Sequence, residues 1–204
     1  MRDHIKRVLM DQIIDGTYAP GQRLIELQIA REMNTSQGPV REALRDLEGM
    51  GLVTSERYKG TRVRAISQRE LKESYQLRGV LEEMAAILAA PKLKNNTRAL
   101  EVELAGLTKG AKTADRDLYG DHTLAFHRVI VEASDNQVLL TVWQSVLLES
   151  RLRFTISKMT DSQLMTNARD RIRIVDALKK GQGRTAGKLL RQHAEQFHSS
   201  ALPE

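Results

Sequence analysis

Three long polar side chains recur at four-residue steps in the first quarter of the chain: Gln37, Arg41 and Arg45. In an α-helix this spacing places all three on one face. From such a face an amide and two guanidinium groups can donate hydrogen bonds to phosphates and to base edges in the major groove of DNA. An ordinary solvated helix also carries exposed arginines. The pattern therefore makes DNA the first partner to consider, together with the segments around it.

Four basic side chains crowd the segment that follows: Arg57, Lys59, Arg62 and Arg64. Only Glu56 opposes them. We predict two short strands here, Leu52–Ser55 and Thr61–Ala65, joined by a tight turn around Lys59 and Gly60. A basic ribbon suits phosphate contacts, although lysine and arginine also solubilise exposed strand edges. Because the basic ribbon follows the helix with the polar face, we favour the interpretation that it contacts DNA.

Apolar periodicity indicates the helix that positions the polar face. Five residues recur at three- and four-residue steps and predict an inward-packed side: Val40, Ala43, Leu44, Leu47 and Met50. Ser36 or Gly38 can cap the start of this helix, and Pro39 falls in its first turn, where no backbone N–H is needed. Gly49 and Gly51 weaken the far end and allow the chain to turn.

Two further helices are predicted upstream. The first is marked by an apolar stripe: Ile5, Val8, Leu9 and Ile13. The second is predicted over Glu26–Met33, after a turn at Pro20 and Gly21, and Asn34 and Thr35 supply the short turn into the third helix. Three helices followed by a two-stranded ribbon make a winged helix-turn-helix.

Composition limits the class of protein. The chain has 204 residues, enough for two domains, and it has no cysteine for disulfides or thiolate metal sites. No apolar run approaches the roughly 20 residues of a membrane span, and charges from Arg2 onward argue against a signal peptide. We therefore expect a soluble, cytoplasmic protein with no membrane partner. The net charge of +6 fits a nucleic-acid partner, but residues 1–66 hold only +2 of it, so charge alone does not locate the site.

Two runs of sequence carry a family resemblance: PGQRLIELQIAREMNTSQGPVREALRDLEGMGLV and YKGTRV. Through them residues 1–66 resemble the DNA-binding domain of the GntR family of bacterial transcription regulators. The resemblance implies that the start of the third helix meets the operator, through Ser36, Gln37, Gly38, Pro39 and Arg41. It also implies that Gly60 lets the wing tip enter the minor groove.

The polar face and the basic ribbon add Arg45, Lys59 and Arg62 as candidate contacts to DNA. One departure from the family matters for the operator. Many relatives carry an arginine where this chain has Gln37. Because glutamine prefers adenine where arginine prefers guanine, the operator sequence stays open.

From residue 67 to residue 204 the pattern changes to long helical periods, with no strand-like alternation and only two prolines, Pro91 and Pro203. We predict an all-α second domain. Breaks between its helices are expected at Pro91, around Ser134–Asn136 and around Gly181–Gly183. The predicted helices run over about Gln68–Ala90, Asn96–Lys109, Asp115–Ala133, Gln137–Ser157, Asp161–Lys180 and Arg184–Ser199.

Three motifs carry a second resemblance: YQLRGVLEEMAAILAA, LAFHRVIVEASDNQVL and IVDALKKGQGRTAGKLLRQH. Residues 67–204 resemble the FCD domain, the helical effector-binding domain of the FadR-like branch of the GntR family. The resemblance implies a bundle around a small-molecule pocket and, in many relatives, a divalent metal held by one aspartate and three histidines. His127 and His193 match two ligands, but Thr123 and Arg171 occupy the other two positions. Threonine is a poor ligand and arginine is none, so a zinc-like metal is disfavoured; His127 and His193 would hold it if any did.

Arg171 suggests another chemistry. It shares an apolar stripe with three residues: Ile174, Val175 and Leu178. Its guanidinium should therefore point toward the core or a cavity, where a charge needs a partner. We hypothesise a small anionic effector, an organic acid or acyl compound, whose carboxylate pairs with Arg171. Thr123, His127 and His193 would surround it, and Arg78 is a further candidate for the pocket wall.

The alternative for Arg171 is an internal salt bridge to a helix carboxylate such as Glu82, beside two histidines satisfied in the core. For the whole chain we predict a ligand-responsive transcription regulator, a repressor, that binds a pseudo-palindromic operator as a homodimer. Two other functions stay open. One is a metal- or histidine-dependent enzyme, which lacks a readable nucleophile; the other is a protein that coats DNA without regard to sequence.

Overall fold

The computed structural model describes residues 1–65, 67–146 and 149–201, with the backbone alone at 146, 149, 150 and 197–201. These residues form two compact units, one built on Met1–Ser67 and the other on the chain from Gln68 onward. Residue 66, where the predicted domain boundary falls, lies outside the described residues.

The first unit is a winged helix-turn-helix, as predicted. Its elements are α1 (Arg2–Ile14), β1 (Arg23–Leu24), α2 (Glu26–Glu32), α3 (Gln37–Gly49), β2 (Val53–Glu56) and β3 (Gly60–Val63). The apolar stripe of α3 is buried against α1 and α2: Val40, Ala43, Leu44 and Leu47. Because this side of α3 is buried, the opposite face of the helix is exposed to solvent.

The wing has three strands rather than the two predicted. The strand order is β1-β3-β2, and both neighbouring pairs are antiparallel. In the additional strand Arg23 pairs with Arg62 and Leu24 pairs with Thr61. A strand of two residues has no alternation to detect, so its pairing is set by the tertiary fold.

The start of α3 differs in detail from the prediction. Ser36 occupies the N-cap position with extended backbone, but its side chain makes no capping hydrogen bond. Gly38 lies inside the first turn and therefore does not cap the helix, while Pro39 lies in that turn as expected. Gly51 then turns the chain out of the helix with a φ of +68°.

The second unit is all-α, as predicted. Its helices are α4 (Gln68–Leu93), α5 (Arg98–Thr113), α6 (Arg116–Ala133), α7 (Gln137–Val146), α8 (Glu149–Lys158), α9 (Asp161–Lys179) and α10 (Gly183–Ala201). Residues 147 and 148, inside the predicted helix Gln137–Ser157, lie outside the described residues. Across the described residues, none of the helices combines the length and apolar character needed to cross a bilayer.

Pro91 does not end the first of these helices, contrary to the prediction. Helix α4 continues through it to Leu93. The proline removes one backbone hydrogen bond, to the carbonyl of Ile87, close to the end of a 26-residue helix. Packing along the rest of α4 outweighs that local loss.

Helices α4 and α10 pack along each other with their backbones unusually close. A Cβ atom on Gly187 would lie 2.9 Å from the carbonyl oxygen of Glu83, and one on Gly183 would lie 2.8 Å from the Cβ of Ala90. Only glycine fits at these two positions without displacing α4. We refer to this contact as the α4–α10 seam.

Candidate functional site

The start of α3 and the wing border one groove in the first unit. The groove has a volume of about 400 Å³, and Gln37, Glu26, Arg23 and Gly60 lie along it. Ser36 and Gly38 are exposed at the same helix start, and Pro39 is partly buried. The fold thus brings together the two segments in which the candidate DNA contacts lie.

Arg41 is held in an ion pair, which the sequence did not predict. Its Nε donates to the Glu26 carboxylate at 2.6 Å, and its Nη2 donates to the Gln37 side-chain oxygen at 3.3 Å. The contact with Gln37 places both residues on one face, as the spacing predicted. Arg45, one turn further along, is exposed and makes no ion pair within the described part of the chain. Because the Arg41 pair is solvent-exposed, a phosphate can replace Glu26 at low cost.

The basic residues of the wing are also tethered. Lys59 pairs with Glu56 at 2.5 Å, and Arg62 donates to the carbonyl oxygen of Gly21 at 2.9 Å. The hairpin loop is Arg57–Lys59, since Glu56 pairs with Gly60, so the turn is centred earlier than predicted. Gly60 has a φ of +82°, and a Cβ there would lie 3.1 Å from the Arg23 guanidinium.

A buried carboxylate, Glu82 on α4, lies at the centre of the second unit. Its Oε1 accepts hydrogen bonds from Arg78 Nε at 2.7 Å and from Trp143 Nε1 at 3.0 Å. Its Oε2 lies 3.0 Å from His127 Nδ1, without hydrogen-bond geometry. Glu82 is 1% exposed and Arg78 is 4% exposed. Arg78 therefore neutralises Glu82 instead of standing free on a pocket wall.

Burial and charge set the protonation of this cluster. Burial alone would raise the pKa of Glu82, but the Arg78 guanidinium and then His127 outweigh it and lower that pKa to about 2. Burial lowers the pKa of His127 to about 4, against the opposing influence of Glu82. Burial and then the charge of Arg171 lower the pKa of His193 well below its usual value. At neutral pH both imidazoles are uncharged.

Arg171 on α9 is fully buried. Its Nη1 donates to the Tyr119 hydroxyl at 3.1 Å and to the Asn167 carbonyl at 2.9 Å, whereas its Nε and Nη2 make no hydrogen bond. The rings of Tyr119 and Phe126 flank its guanidinium carbon at 5.7 and 5.9 Å. No carboxylate of the described residues pairs with it, so the alternative salt bridge to Glu82 is wrong: Glu82 is engaged by Arg78.

His127 and His193 lie within electrostatic reach of this guanidinium, whose charge adds to the effect of burial in lowering the pKa of both imidazoles. Thr123 falls one turn after Tyr119 and one turn before His127 on α6, and its buried hydroxyl makes no hydrogen bond. The rings of His127 and His193 stack with centroids 6.0 Å apart. The second ring nitrogen of His127, Nε2, is also buried without a hydrogen bond.

This donor set does not fit a divalent metal. No group of three or more acidic or histidine side chains among the described residues could hold one. Asp121 pairs with Arg153 at 2.5 Å and His122 pairs with Glu103 at 2.7 Å, so neither substitutes for the missing aspartate. The positive charge that a metal would bring is instead supplied by the Arg171 guanidinium.

A groove of about 410 Å³ runs between α9 and α10 and reaches the edge of the cluster. Hydrogen-bonding side chains dominate its lining: Thr166, Asn167, Asp170, Arg173, Gln192, His193 and Gln196, with Leu189. His193 belongs both to the groove and to the stacked pair with His127, and Asn167 bonds to Arg171. The groove therefore opens beside two neighbours of the buried Arg171 guanidinium, Asn167 and His193.

Sequence reasoning missed four members of the cluster. Glu82 was considered only as an alternative partner of Arg171, and Trp143 reads from its spacing as an ordinary core residue. Tyr119 and Asn167 carry no motif of their own. Tyr119 lies four residues before Thr123, and Asn167 lies four residues before Arg171. This spacing, about one helical turn, is the one signal in the sequence that could have found them.

Family models match both units. Residues 1–63 match the model described as bacterial regulatory proteins, gntR family, and residues 73–196 match the FCD domain. Together these matches span most of the chain, in the order expected from the sequence.

Proteins similar to this chain over most of its length are described as transcriptional repressors. The chain is 31% identical over 195 residues to a probable D-xylose utilization operon transcriptional repressor of Paenarthrobacter nicotinovorans, covering 95% of this chain and 85% of that protein. It is 28% identical over 197 residues to the HTH-type transcriptional repressor GlaR of Escherichia coli, covering 92% and 89%.

Solved structures share the fold. A transcriptional regulator, GntR, from Rhodococcus sp. RHA1 superposes with a TM-score of 0.72 at 26% identity, covering 97% of this chain and 95% of that one. E. coli McbR/YncC superposes with a TM-score of 0.74 at 24% identity, covering 96% and 93%, and this likeness concerns the fold alone. The chain belongs to the GntR family of bacterial transcription regulators and carries an FCD effector-binding domain.

Proposed function

We propose that the effector of this regulator is a small carboxylate that pairs with Arg171. As a member of the GntR family the chain binds operator DNA through its first unit and a ligand through its second, and the enzyme alternative has no support among its relatives. The observation that carries the proposal is a fully buried guanidinium with two donor nitrogens unused. A planar fork of donors matches a carboxylate in a bidentate pair.

Charge supports one anionic group as the ligand. The buried cluster holds two cations, Arg78 and Arg171, and one anion, Glu82. The two histidines are uncharged at neutral pH because burial lowers their pKa values. The remaining single positive charge is costly without a partner, so a bound carboxylate would relieve it. Thr123 and His127 would then hydrogen-bond polar groups next to the carboxylate.

On the DNA side we propose contacts from the residues around the groove of the first unit. These are Ser36, Gln37, Gly38, Pro39, Arg41, Arg45, Lys59, Gly60 and Arg62. Gln37 would read a base edge, Arg41 would exchange Glu26 for the operator, and the wing would reach the minor groove. Occupancy of the pocket regulates only if the effector binds one arrangement of the DNA-binding units better than another.

We also propose a homodimer formed through an apolar face of the second unit. Large apolar side chains stand exposed at helical spacing on α4, with two more on α7: Leu77, Val80, Met84, Ile87, Leu88, Val138 and Val142. An exposed apolar stripe of this kind is typical of a protein interface. Dimerisation is also typical of the family, and a twofold axis would match a pseudo-palindromic operator. Sedimentation of Met84→Glu against the unaltered chain tests this interface, and a monomer is expected for the variant.

The effector proposal is tested by calorimetric titration with a panel of small carboxylates. The unaltered protein should bind at least one of them, and Arg171→Gln should bind it roughly tenfold or more weakly. Arg169→Gln is the matched control, since Arg169 is exposed on the same helix and should leave the affinity unchanged. Equal binding by Arg171→Gln, with its helical content retained, would contradict the pairing.

A further inference from the structure

Tyr58 lies at the tip of the wing hairpin in an unfavourable conformation. Its φ is +67°, in the left-handed region, and its side chain is 89% exposed. A bulky residue rarely adopts this backbone conformation, because Cβ crowds the following carbonyl. Three of the other four non-glycine residues with positive φ in the described chain are of the tolerant Asn and Asp types: Asn34, Asn95 and Asp135.

The ring of Tyr58 gains little from the fold. Its one described contact is the Arg57 guanidinium, 4.9 Å from the ring centroid and itself at the exposed tip. An asparagine or glycine would satisfy the backbone at lower free energy and would expose less apolar surface. Exposed aromatic side chains held in strained backbone are characteristic of functional surfaces.

The position of Tyr58 points to DNA. Gly60, two residues further, borders the same groove as Gln37 at the start of α3. Arg57 and Lys59 flank the ring with positive charge, although Lys59 also pairs with Glu56. A cationic tip is attracted to the strongly negative potential of narrow, A·T-rich minor grooves. An apolar ring there can pack against sugars and base edges.

We propose that Tyr58 is a specificity-determining residue whose ring packs into an A·T-rich minor groove flanking each half-site. The proposal deepens the DNA-binding function of the first unit and rests on it. The exocyclic amine of guanine protrudes into the minor groove and would exclude the ring. Tyr58 therefore adds a preference for A·T pairs at positions that α3 does not contact.

The first test uses a duplex that the unaltered protein selects from a random pool. Tyr58→Asn should bind this duplex roughly fivefold or more weakly, while its melting temperature is unchanged or rises by up to about 5 °C. Tyr58→Phe should bind within about twofold of the unaltered protein, since the ring is kept. Opposite effects on affinity and stability would separate a DNA contact from a structural role.

The second test changes the groove chemically. In the flank covered by the wing, an A·T pair is replaced by inosine·cytosine, which lacks the minor-groove amine, or by G·C, which has it. The unaltered protein should accept inosine·cytosine and lose affinity for G·C, and Tyr58→Asn should no longer discriminate.

Any one of four results would overturn the proposal. In the first test these are full operator affinity of Tyr58→Asn, a lower melting temperature of Tyr58→Asn, or a loss of affinity in Tyr58→Phe as large as that in Tyr58→Asn. In the second test it is equal discrimination against G·C by the unaltered protein and by Tyr58→Asn. If the unaltered protein selects no duplex at all, the DNA-binding function of the first unit fails together with the proposal.

Discussion

Arg41 in the winged unit and Arg171 in the helical unit both face a place where an anion is expected, yet their surroundings are opposite. Arg41 has a side chain that is 62% exposed and is already paired with Glu26. Arg171 is fully buried and has no carboxylate partner among the described residues. An exposed pair exchanges partners at little cost, whereas a buried charge binds a missing partner strongly. The first arrangement suits reversible contact with DNA, and the second suits recognition of one small anion.

The largest expected effect on stability belongs to Glu82, the buried carboxylate of the helical unit. Glu82→Gln should lower the free energy of unfolding of the helical unit by about 3 kcal/mol, because Arg78 would remain buried without a counter-charge. The measurement is urea denaturation followed by the fluorescence of Trp143, the single tryptophan, which donates to Glu82.

Glu83→Gln is the matched control at the adjacent position. Glu83 pairs with Arg191, whose side chain is half-exposed, and its loss should cost less than about 1 kcal/mol. Similar costs for the two variants would show that burial does not distinguish the charges of Glu82 and Glu83.

A second prediction concerns acid. Because burial lowers the pKa of His127 from 6.5 to about 4 in the folded state, the unfolded chain takes up this proton first as the pH falls. Stability of the helical unit is therefore greatest above pH 6.5 and falls by about 3 kcal/mol toward pH 4.

The loss should be followed by the same fluorescence measurement across this pH range. His127→Gln should make the profile shallower, since glutamine does not titrate, and the remaining slope should come from His193, whose pKa burial also lowers. A wild-type profile that is level between pH 6.5 and 4 would contradict the buried neutral state of the histidines.

The smallest expected effect belongs to the exposed arginine. Arg41→Ala should weaken binding to the selected operator by about tenfold and change the free energy of unfolding by less than about 0.5 kcal/mol. Fluorescence anisotropy of a labelled duplex measures the first quantity. Arg69→Ala removes the same charge from an exposed pair on α4 and should leave operator affinity nearly unchanged. Equal losses for the two variants would mean that Arg41 acts only through net charge.

The sequence predicted helices better than it predicted partners. The stripe of Val40, Leu44 and Leu47 specified α3 because each residue reports on its own helix period. Strand β1 went unpredicted since its two residues pair with β3 across about 40 positions of chain. Pro91 was misleading for a related reason: the packing that keeps α4 continuous comes from other helices.

In the candidate pocket, too, the sequence predicted burial but did not predict contacts between side chains. Apolar neighbours correctly indicated that Arg171 points inward. They could not indicate that Arg171 lacks a carboxylate partner among the described residues, because the pairing of Glu82 with Arg78, one turn away on α4, depends on side-chain geometry. Burial follows from periodicity, but the pairing of buried charges follows from the complete fold.

The α4–α10 seam has a consequence for how the ligand of such a domain can change. Glu82 and His193 lie on α4 and α10, whose close approach at Gly183 and Gly187 leaves no room for a larger side chain, so these two helices form a closely packed frame. Thr123 and Arg171, which replace the expected metal ligands, lie on α6 and α9, outside that frame. Exchanging a metal-binding chemistry for an arginine-based one then requires substitutions on the outer pair of helices only. In this chain the two positions that depart from the expected metal ligands are thus separate from the contacts that hold α4 against α10.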